Sequence, residues 1–197
     1  MNARPLYIVA IGASAGGQDP LKEFFRSIPA DSGMAFCVVT HLLRTHESVL
    51  DHIISKCTSM QVKRMETGDF IQPDHVYVMP EGVRAFIRHG TIFLRKRDED
   101  SSINRTVDEF FCSLAEDKKS LAIGVILAGM GDDGTLGAQV IHEHGGHVFV
   151  QDPNSTEFKS MPENTIRWDH PSEVLPPALI AAALRNFAAR KTRSMEK

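Results

Sequence analysis

Five short runs of apolar and β-branched residues recur along the chain, with amphipathic segments between them. They cover residues 6–12, 36–41, 75–80, 121–129 and 147–152. Consecutive apolar positions are what a strand needs when both faces of its sheet are buried. Helical patterns fill the intervals, at 21–28, 48–57, 107–118 and 136–144, with a last one at about 177–189. The alternation predicts a three-layer α/β fold, a doubly wound and mostly parallel sheet between layers of helices.

One segment departs from this alternation. Residues 84–97 contain two β-prone runs around His89-Gly90, which predicts a peripheral β-hairpin. The polar stretch 98–105 follows and is the best candidate for a mobile loop or lid. A chain of 197 residues is long enough for one sizeable domain, which we expect at 1–190, with a charged tail at 191–197.

Charge and cysteine content exclude several classes of protein. The formal net charge is −3 without a basic stripe, so we expect no nucleic-acid partner. No apolar run approaches the roughly 18 residues that span a bilayer, so we expect no membrane insertion. Three cysteines without a short CxxC spacing predict neither a disulfide framework nor a thiolate zinc site, and they favour the reducing cytoplasm.

The first apolar run ends in a glycine-rich loop. Residues Gly12 to Gly16 match G-x-S-x-G, the pattern that presents a nucleophilic serine, here Ser14, between a strand and a helix. The amides that begin the following helix would also favour an anion, and a plain tight turn is a third possibility. The loop fits neither of the common glycine-rich phosphate-binding patterns. The loop alone therefore leaves nucleophile, anion binding and turn open.

Two further loops follow predicted strands. His41 ends the second apolar run, and a serine nucleophile needs such a base. A histidine bonded to backbone in a strand-ending turn is the alternative. Asp132 and Asp133 follow the fourth run, where either carboxylate could cap the helix at 136–144. Capping and catalysis are compatible, because a carboxylate that accepts amide bonds can still orient an imidazole. Since the carboxyl ends of neighbouring parallel strands share an edge, these three loops could meet.

The three loops resemble those of a known family, the catalytic domain of the chemotaxis protein-glutamate methylesterase, CheB. "IGASAGG" is similar to its serine loop, "THL" stands where the family has its histidine, and "GMGDDGTLG" resembles its aspartate loop. The segments "TVDEFFCSLAED", "VQDPNSTEFKSMP" and "EVLPP" extend the resemblance over most of the chain. The sequences of these segments most resemble the esterase domains of hybrid proteins that also carry the receptor methyltransferase.

The resemblance implies a role for each site residue. Ser14 would be the nucleophile, His41 the general base and Asp133 the acid that orients it. The backbone amides of Ala15 and Met130 would form the oxyanion hole. The loop glycines that shape the site would be Gly12, Gly16, Gly17, Gly131 and Gly134.

The resemblance also implies a substrate and partners. The substrates would be glutamate γ-methyl esters, and glutamines that are deamidated, on the cytoplasmic helical region of chemoreceptors or similar sensor proteins. We expect no cofactor and no metal. His142 and His144 lie on different faces of the predicted helix, and Gly145-Gly146 ends that helix before His147. A receiver or methyltransferase domain is an expected partner that this sequence does not include.

Two residues depart from the family pattern. Thr40 stands where the family usually has glutamine, and Ala15 stands where it often has threonine, and both bear on rate and substrate preference.

Two rival functions remain at this point. One is a non-catalytic, partner-binding module of a two-component signalling pathway. The other is a nucleotide-phosphate binder that uses Gly12 to Gly17 as an anion cradle, although the sequence offers no ribose-reading partner.

Overall fold

The computed structural model describes residues 5–40, 48–97 and 105–195. Within them a seven-stranded parallel sheet forms the centre of the molecule, with strand order β3-β4-β2-β1-β7-β8-β9. Its strands are β1 (Ile8–Ala13), β2 (Ala35–Thr40), β3 (Gln61–Arg64), β4 (His75–Val78), β7 (Ala122–Ile126), β8 (His147–Gln151) and β9 (Glu173–Leu175). The predicted α/β class and the parallel sheet are confirmed.

Helices cover both faces of this sheet. They are α1 (Gln18–Ser27), α2 (Leu50–Ser55), α3 (Thr106–Lys118), α4 (Thr135–Glu143), α5 (Ser160–Trp168) and α6 (Pro177–Met195), with short 3₁₀ turns at Lys119–Leu121 and Pro153–Ser155. Helix α6 continues to Met195, through most of the segment predicted to be a charged tail.

The predicted hairpin is present as β5 (Val83–Arg88) and β6 (Thr91–Lys96), an antiparallel pair outside the main sheet. His89 and Gly90 connect the strands with φ of +51° and +71°. Two successive positive φ values are typical of the tight turn that matches strand twist, which is why the His-Gly pair predicts it. The polar stretch predicted to be a lid lies, apart from Arg105, outside the described residues.

Alternate strand residues build one core on each face of the sheet. On β1, Ile8 and Ala10 pack with the core beneath α3 and α4, and Val9 and Ile11 with the core beneath α1 and α6. This two-sided burial explains why the central strands are apolar at nearly every position. It also leaves the carboxyl ends of β2, β1 and β7 side by side, where the predicted site residues follow.

Candidate active site

Ser14 lies in the tight turn that joins β1 to α1. Its amide donates to the carbonyl oxygen of Ala128 over 3.0 Å, and its carbonyl oxygen accepts from the amide of Gly17 over 3.0 Å. Helix α1 begins at the next residue, Gln18. Ser14 is half-buried and lies against the loop that follows β7.

Close packing explains the glycines of this turn. Gly16 has φ of +72°, and a Cβ there would overlap the ring of Phe158. A Cβ on Gly12 or Gly17 would also collide with neighbouring atoms. Ala15, whose amide is one of the two predicted oxyanion donors, is exposed. The turn therefore holds Ser14 in a half-buried position, on a backbone that has no room for a side chain at Gly12, Gly16 or Gly17.

Strand β2 ends beside β1. Thr40 pairs with Ala13 across the two parallel strands. The Thr40 side chain is buried, and its Oγ1 has no hydrogen-bond partner among the residues that the structure describes. His41, the predicted base, is the next residue and lies outside the described residues.

The loop after β7, residues 127–134, is held by the end of β8 and by the chain that follows it. Oε1 of the buried Gln151 accepts a hydrogen bond from the Ala128 amide over 2.8 Å. The carbonyl oxygen of Phe158 accepts the Gly129 amide over 3.0 Å. These two hydrogen bonds fix the backbone that faces Ser14.

The tip of this loop is exposed. Met130, whose amide is the second predicted oxyanion donor, is 59% exposed. Gly131 follows with φ of +88°, and its carbonyl oxygen accepts from Nδ2 of Asn164 over 2.9 Å. The tip thus leaves an apolar side chain at the rim while its backbone remains anchored.

Asp133 is buried at the base of the same loop. It is 3% exposed, and its two carboxylate oxygens accept the amides of Val107 and Asp108 over 3.0 and 2.9 Å. These amides belong to the first turn of α3, where backbone donors have no partner within the helix. Asp133 therefore caps α3, and the interpretation that it caps the helix at 136–144 is wrong. Asp133 is close in sequence to the helix at 136–144, but in the structure its carboxylate accepts the amides of α3.

The cap of α4 comes instead from Asp108. This side chain is 4% exposed, and its Oδ1 accepts the amides of Gly134 and Gly137, each over 2.9 Å. Burial raises the pKa of Asp108 to about 6, against the Gly137 hydrogen bond, and the nearby charge of Asp133 adds to the rise. Sequence reasoning missed Asp108, for which the only signal was an acidic residue in the first turn of a predicted helix.

Asp132 has a different environment from its neighbour. It is exposed, and its carboxylate forms a bidentate pair with the guanidinium of Arg105, over 2.9 and 3.2 Å. The adjacent aspartates therefore face opposite ways, with Asp133 directed into the protein and Asp132 toward solvent. This arrangement is consistent with Asp133, rather than Asp132, being the acid of the site.

A cavity of about 740 Å³ lies between α3 and α4, beside the loop that carries the aspartates. Leu136 and Trp168 line it and are 56% and 64% exposed. Trp168 is the last residue of α5, which ends at the surface. Phe110 and Phe111, by contrast, are fully buried in the core.

Among residues 5–40, 48–97 and 105–195, no group of three or more His, Cys, Asp or Glu side chains is arranged to hold a metal ion. His142 instead contacts the buried Asp169, with 2.7 Å between Nδ1 and Oδ1. In the same part of the chain no helix combines the length and apolar character that crossing a bilayer would need.

Comparison with solved structures supports the fold. The crystal structure of the Thermotoga maritima CheB methylesterase catalytic domain superimposes with a TM-score of 0.84 at 30% sequence identity. The superposition covers 92% of this chain and 98% of that domain.

Curated relatives are named protein-glutamate methylesterase/protein-glutamine glutaminase. One from Xanthomonas oryzae pv. oryzae is 32% identical over 187 residues, which are 93% of this chain and 52% of the relative. One from Carboxydothermus hydrogenoformans is 33% identical over 180 residues, 88% of this chain and 53% of that protein. The chain thus spans about half the length of these relatives. Because residues 9–184 match the CheB methylesterase family, the chain belongs to that family.

Proposed function

We propose that this domain is a serine esterase that hydrolyses glutamate γ-methyl esters, with Ser14, His41 and Asp133 as its catalytic triad. The observation that carries the proposal is the order of the central strands. Strands β2, β1 and β7 are parallel neighbours, and in the sequence His41, Ser14 and Asp133 follow their carboxyl ends. The hydrogen bond from Ser14 to Ala128 joins the loops after β1 and β7.

The proposed reaction has two stages. His41 takes the hydroxyl proton of Ser14 as Oγ attacks the ester carbonyl, and Asp133 orients the imidazole. The amides of Ala15 and Met130 donate to the oxyanion of the tetrahedral intermediate. His41 then gives its proton to the departing methanol, which leaves an acyl-enzyme. Water activated by His41 hydrolyses that ester and restores Ser14.

The same residues would deamidate a glutamine. Attack on the side-chain amide gives the same acyl-enzyme, and ammonia leaves in place of methanol. We therefore propose both activities, in line with the double name of the relatives.

The proposed substrate is the methylated, cytoplasmic helical region of chemoreceptors or similar sensor proteins. A helical protein surface needs a shallow, open site, and the exposed Met130 and Ala15 at the rim support such access. We further propose that residues 1–190 form the catalytic domain, that the protein acts in the cytoplasm, and that a receiver or methyltransferase domain is a partner.

Mass spectrometry of a methylated receptor fragment tests the proposal. The wild-type protein should remove methyl groups and release methanol, and Ser14→Ala should abolish this reaction. Ser27→Ala is the matched control, because Ser27 lies at the opposite end of α1, where its hydroxyl donates only to the carbonyl oxygen of Glu23.

The outcomes separate the rival functions. An inactive wild-type protein that still binds a signalling partner would indicate the non-catalytic module. Binding of a nucleotide that Gly16→Ala weakens, without ester hydrolysis, would indicate the anion cradle. Unchanged hydrolysis by Ser14→Ala would exclude the proposed mechanism.

A further inference from the structure

The first turn of α3 and the aspartate loop hold each other through carboxylate-to-amide hydrogen bonds. Asp133, in the loop, accepts the amides of Val107 and Asp108. Asp108, in the helix, accepts the amides of Gly134 and Gly137. Asp133 therefore caps α3, to which Asp108 belongs, and Asp108 caps α4, which follows Asp133 in the chain.

Three consecutive loop residues are bound to the same short stretch of chain. Asp132 pairs with Arg105, Asp133 accepts two amides of α3, and Gly134 donates its amide to Asp108. Gly134 has φ of +97°, and a Cβ there would overlap Ile126 and Val107. The backbone immediately after Asp133 is thus in a left-handed conformation that the Asp108 carboxylate stabilises from outside the loop.

The buried position of Asp108 makes this contact strong and directional. A carboxylate that is almost fully removed from water forms charge-assisted hydrogen bonds to backbone amides, which exceed neutral ones in strength. Both accepted bonds go to one oxygen, Oδ1, and Oδ2 lies 3.4 Å from Nη1 of Arg105. Accordingly, what the loop requires of residue 108 is one acceptor oxygen at the position of Oδ1.

We infer that Asp108 is a positioning residue for the esterase reaction: it holds Gly134 and Gly137 so that Asp133 lies where the catalytic base needs it. This inference rests on the proposed function, in which Asp133 orients His41. Asp108 itself does not touch the substrate or the reacting atoms. A displacement of about 1 Å in such a supporting group can reduce a rate roughly 100-fold.

Steady-state kinetics on Asp108 variants test this role. With p-nitrophenyl acetate and with the methylated receptor fragment, Asp108→Ala should lower kcat per folded molecule by roughly 10- to 100-fold and leave KM within about twofold. Asp108→Asn should stay within about threefold of the wild-type kcat, because its amide oxygen can accept both bonds. If Asp108→Ala does not fold, Asp108→Ser replaces it, since the shorter side chain cannot occupy the Oδ1 position.

The control is a carboxylate at the other end of the same helix. Asp117 accepts the amides of His89 and Gly90 in the hairpin turn, far along α3 from the site. Asp117→Ala should lower stability and leave kcat per folded molecule within about twofold. Equal kcat losses in the Asp108→Ala and Asp117→Ala variants, or an Asn variant as slow as the Ala variant, would overturn the inference. A wild-type protein inactive on both substrates would instead refute the proposed function.

Discussion

Two carboxylates on α3 have pKa values shifted in opposite directions. Burial raises the pKa of Asp108 to about 6, and the charge of Asp133 adds to this effect despite the Gly137 amide and the guanidinium of Arg105. Burial also acts to raise the pKa of Asp117, but the Gly90 amide and the ammonium of Lys118 outweigh it and the pKa is lowered. Burial is the largest cause of the rise at Asp108, and the partners add to the contrast, since Asp108 faces a second carboxylate and Asp117 an ammonium.

Asp108 should therefore make stability depend on pH in a predictable direction. Its pKa is about 6 in the folded state and about 4 in the unfolded chain. The folded state thus binds the proton more tightly, so the contribution of Asp108 to stability is full below about pH 4 and is lost as pH rises through 6. Relative to Asp108→Asn, the wild type should gain about 2 kcal/mol in free energy of unfolding between pH 7.5 and 4.5.

Urea unfolding at the two pH values measures this gain. Asp117→Asn is the matched comparison, because a lowered pKa keeps Asp117 ionised throughout the range, and its difference from wild type should stay nearly constant. The same pH dependence in both pairs would show that Asp108 is not the titrating group.

Local patterns explain which single residues could be predicted. The position of Ser14 after a strand follows from G-x-S-x-G, a pattern contained in five consecutive residues. The choice of Asp133 over Asp132 came from family resemblance. The role of Asp108 depends on α3 and α4 meeting at their first turns, 25 or more residues apart in sequence, and no local pattern encodes that contact.

At the scale of elements, the serine turn and the chain after β8 pack against each other through Phe158 and Gly16. A Cβ on Gly16 would overlap the Phe158 ring, which is 37% exposed. Gly16 thus has two requirements, a positive φ and an absent side chain. Gly33 has nearly the same φ, +71°, but open space around its Cβ position. Comparison of Gly16 with Gly33 therefore separates the cost of the positive φ from the cost of adding a side chain.

Alanine at each glycine should give different losses of stability. Gly33→Ala carries the conformational cost alone, about 1–2 kcal/mol. Gly16→Ala should lose about 1–3 kcal/mol more, because the ring must move, and should slow ester hydrolysis since Ser14 is two residues away. Replacing Phe158 with Ala in the Gly16→Ala protein should recover most of this extra loss. Thermal unfolding and kcat measure the effects, and equal losses at the two glycines would contradict the interpretation.

Burial also explains which elements were missed. The central strands are apolar at nearly every position and were all predicted. The edge strands β3 and β9 are partly exposed, and with only four and three residues they have no apolar run. Helix α5 carries Pro162 in its first turn, and this proline obscured the helical pattern. Whether a strand lies at the centre or at the edge of the sheet therefore decides whether its sequence pattern can be recognised. A single sequence does not state that position.

At the scale of the whole molecule, one sheet supports two cores. Phe36 is fully buried in the core beneath α1 and α6, and Phe111 in the core beneath α3 and α4. Because alternate residues of the same strands enter both cores, neither can be lost without disrupting the strands that support the other. The site loops extend from the strands shared by the two cores, which gives them a rigid base.

This arrangement predicts one cooperative unfolding transition. Phe36→Leu and Phe111→Leu each weaken one core by about 1–2 kcal/mol and should lower the same single melting temperature by roughly 3–8 °C. Phe93→Leu, on the outer hairpin where the ring is 42% exposed, should change it little. Calorimetric and van't Hoff enthalpies should agree for all three variants. Two resolved transitions, or a Phe variant that shifts only part of the unfolding heat, would mean that the faces of the sheet unfold separately and that residues 1–190 are not one domain.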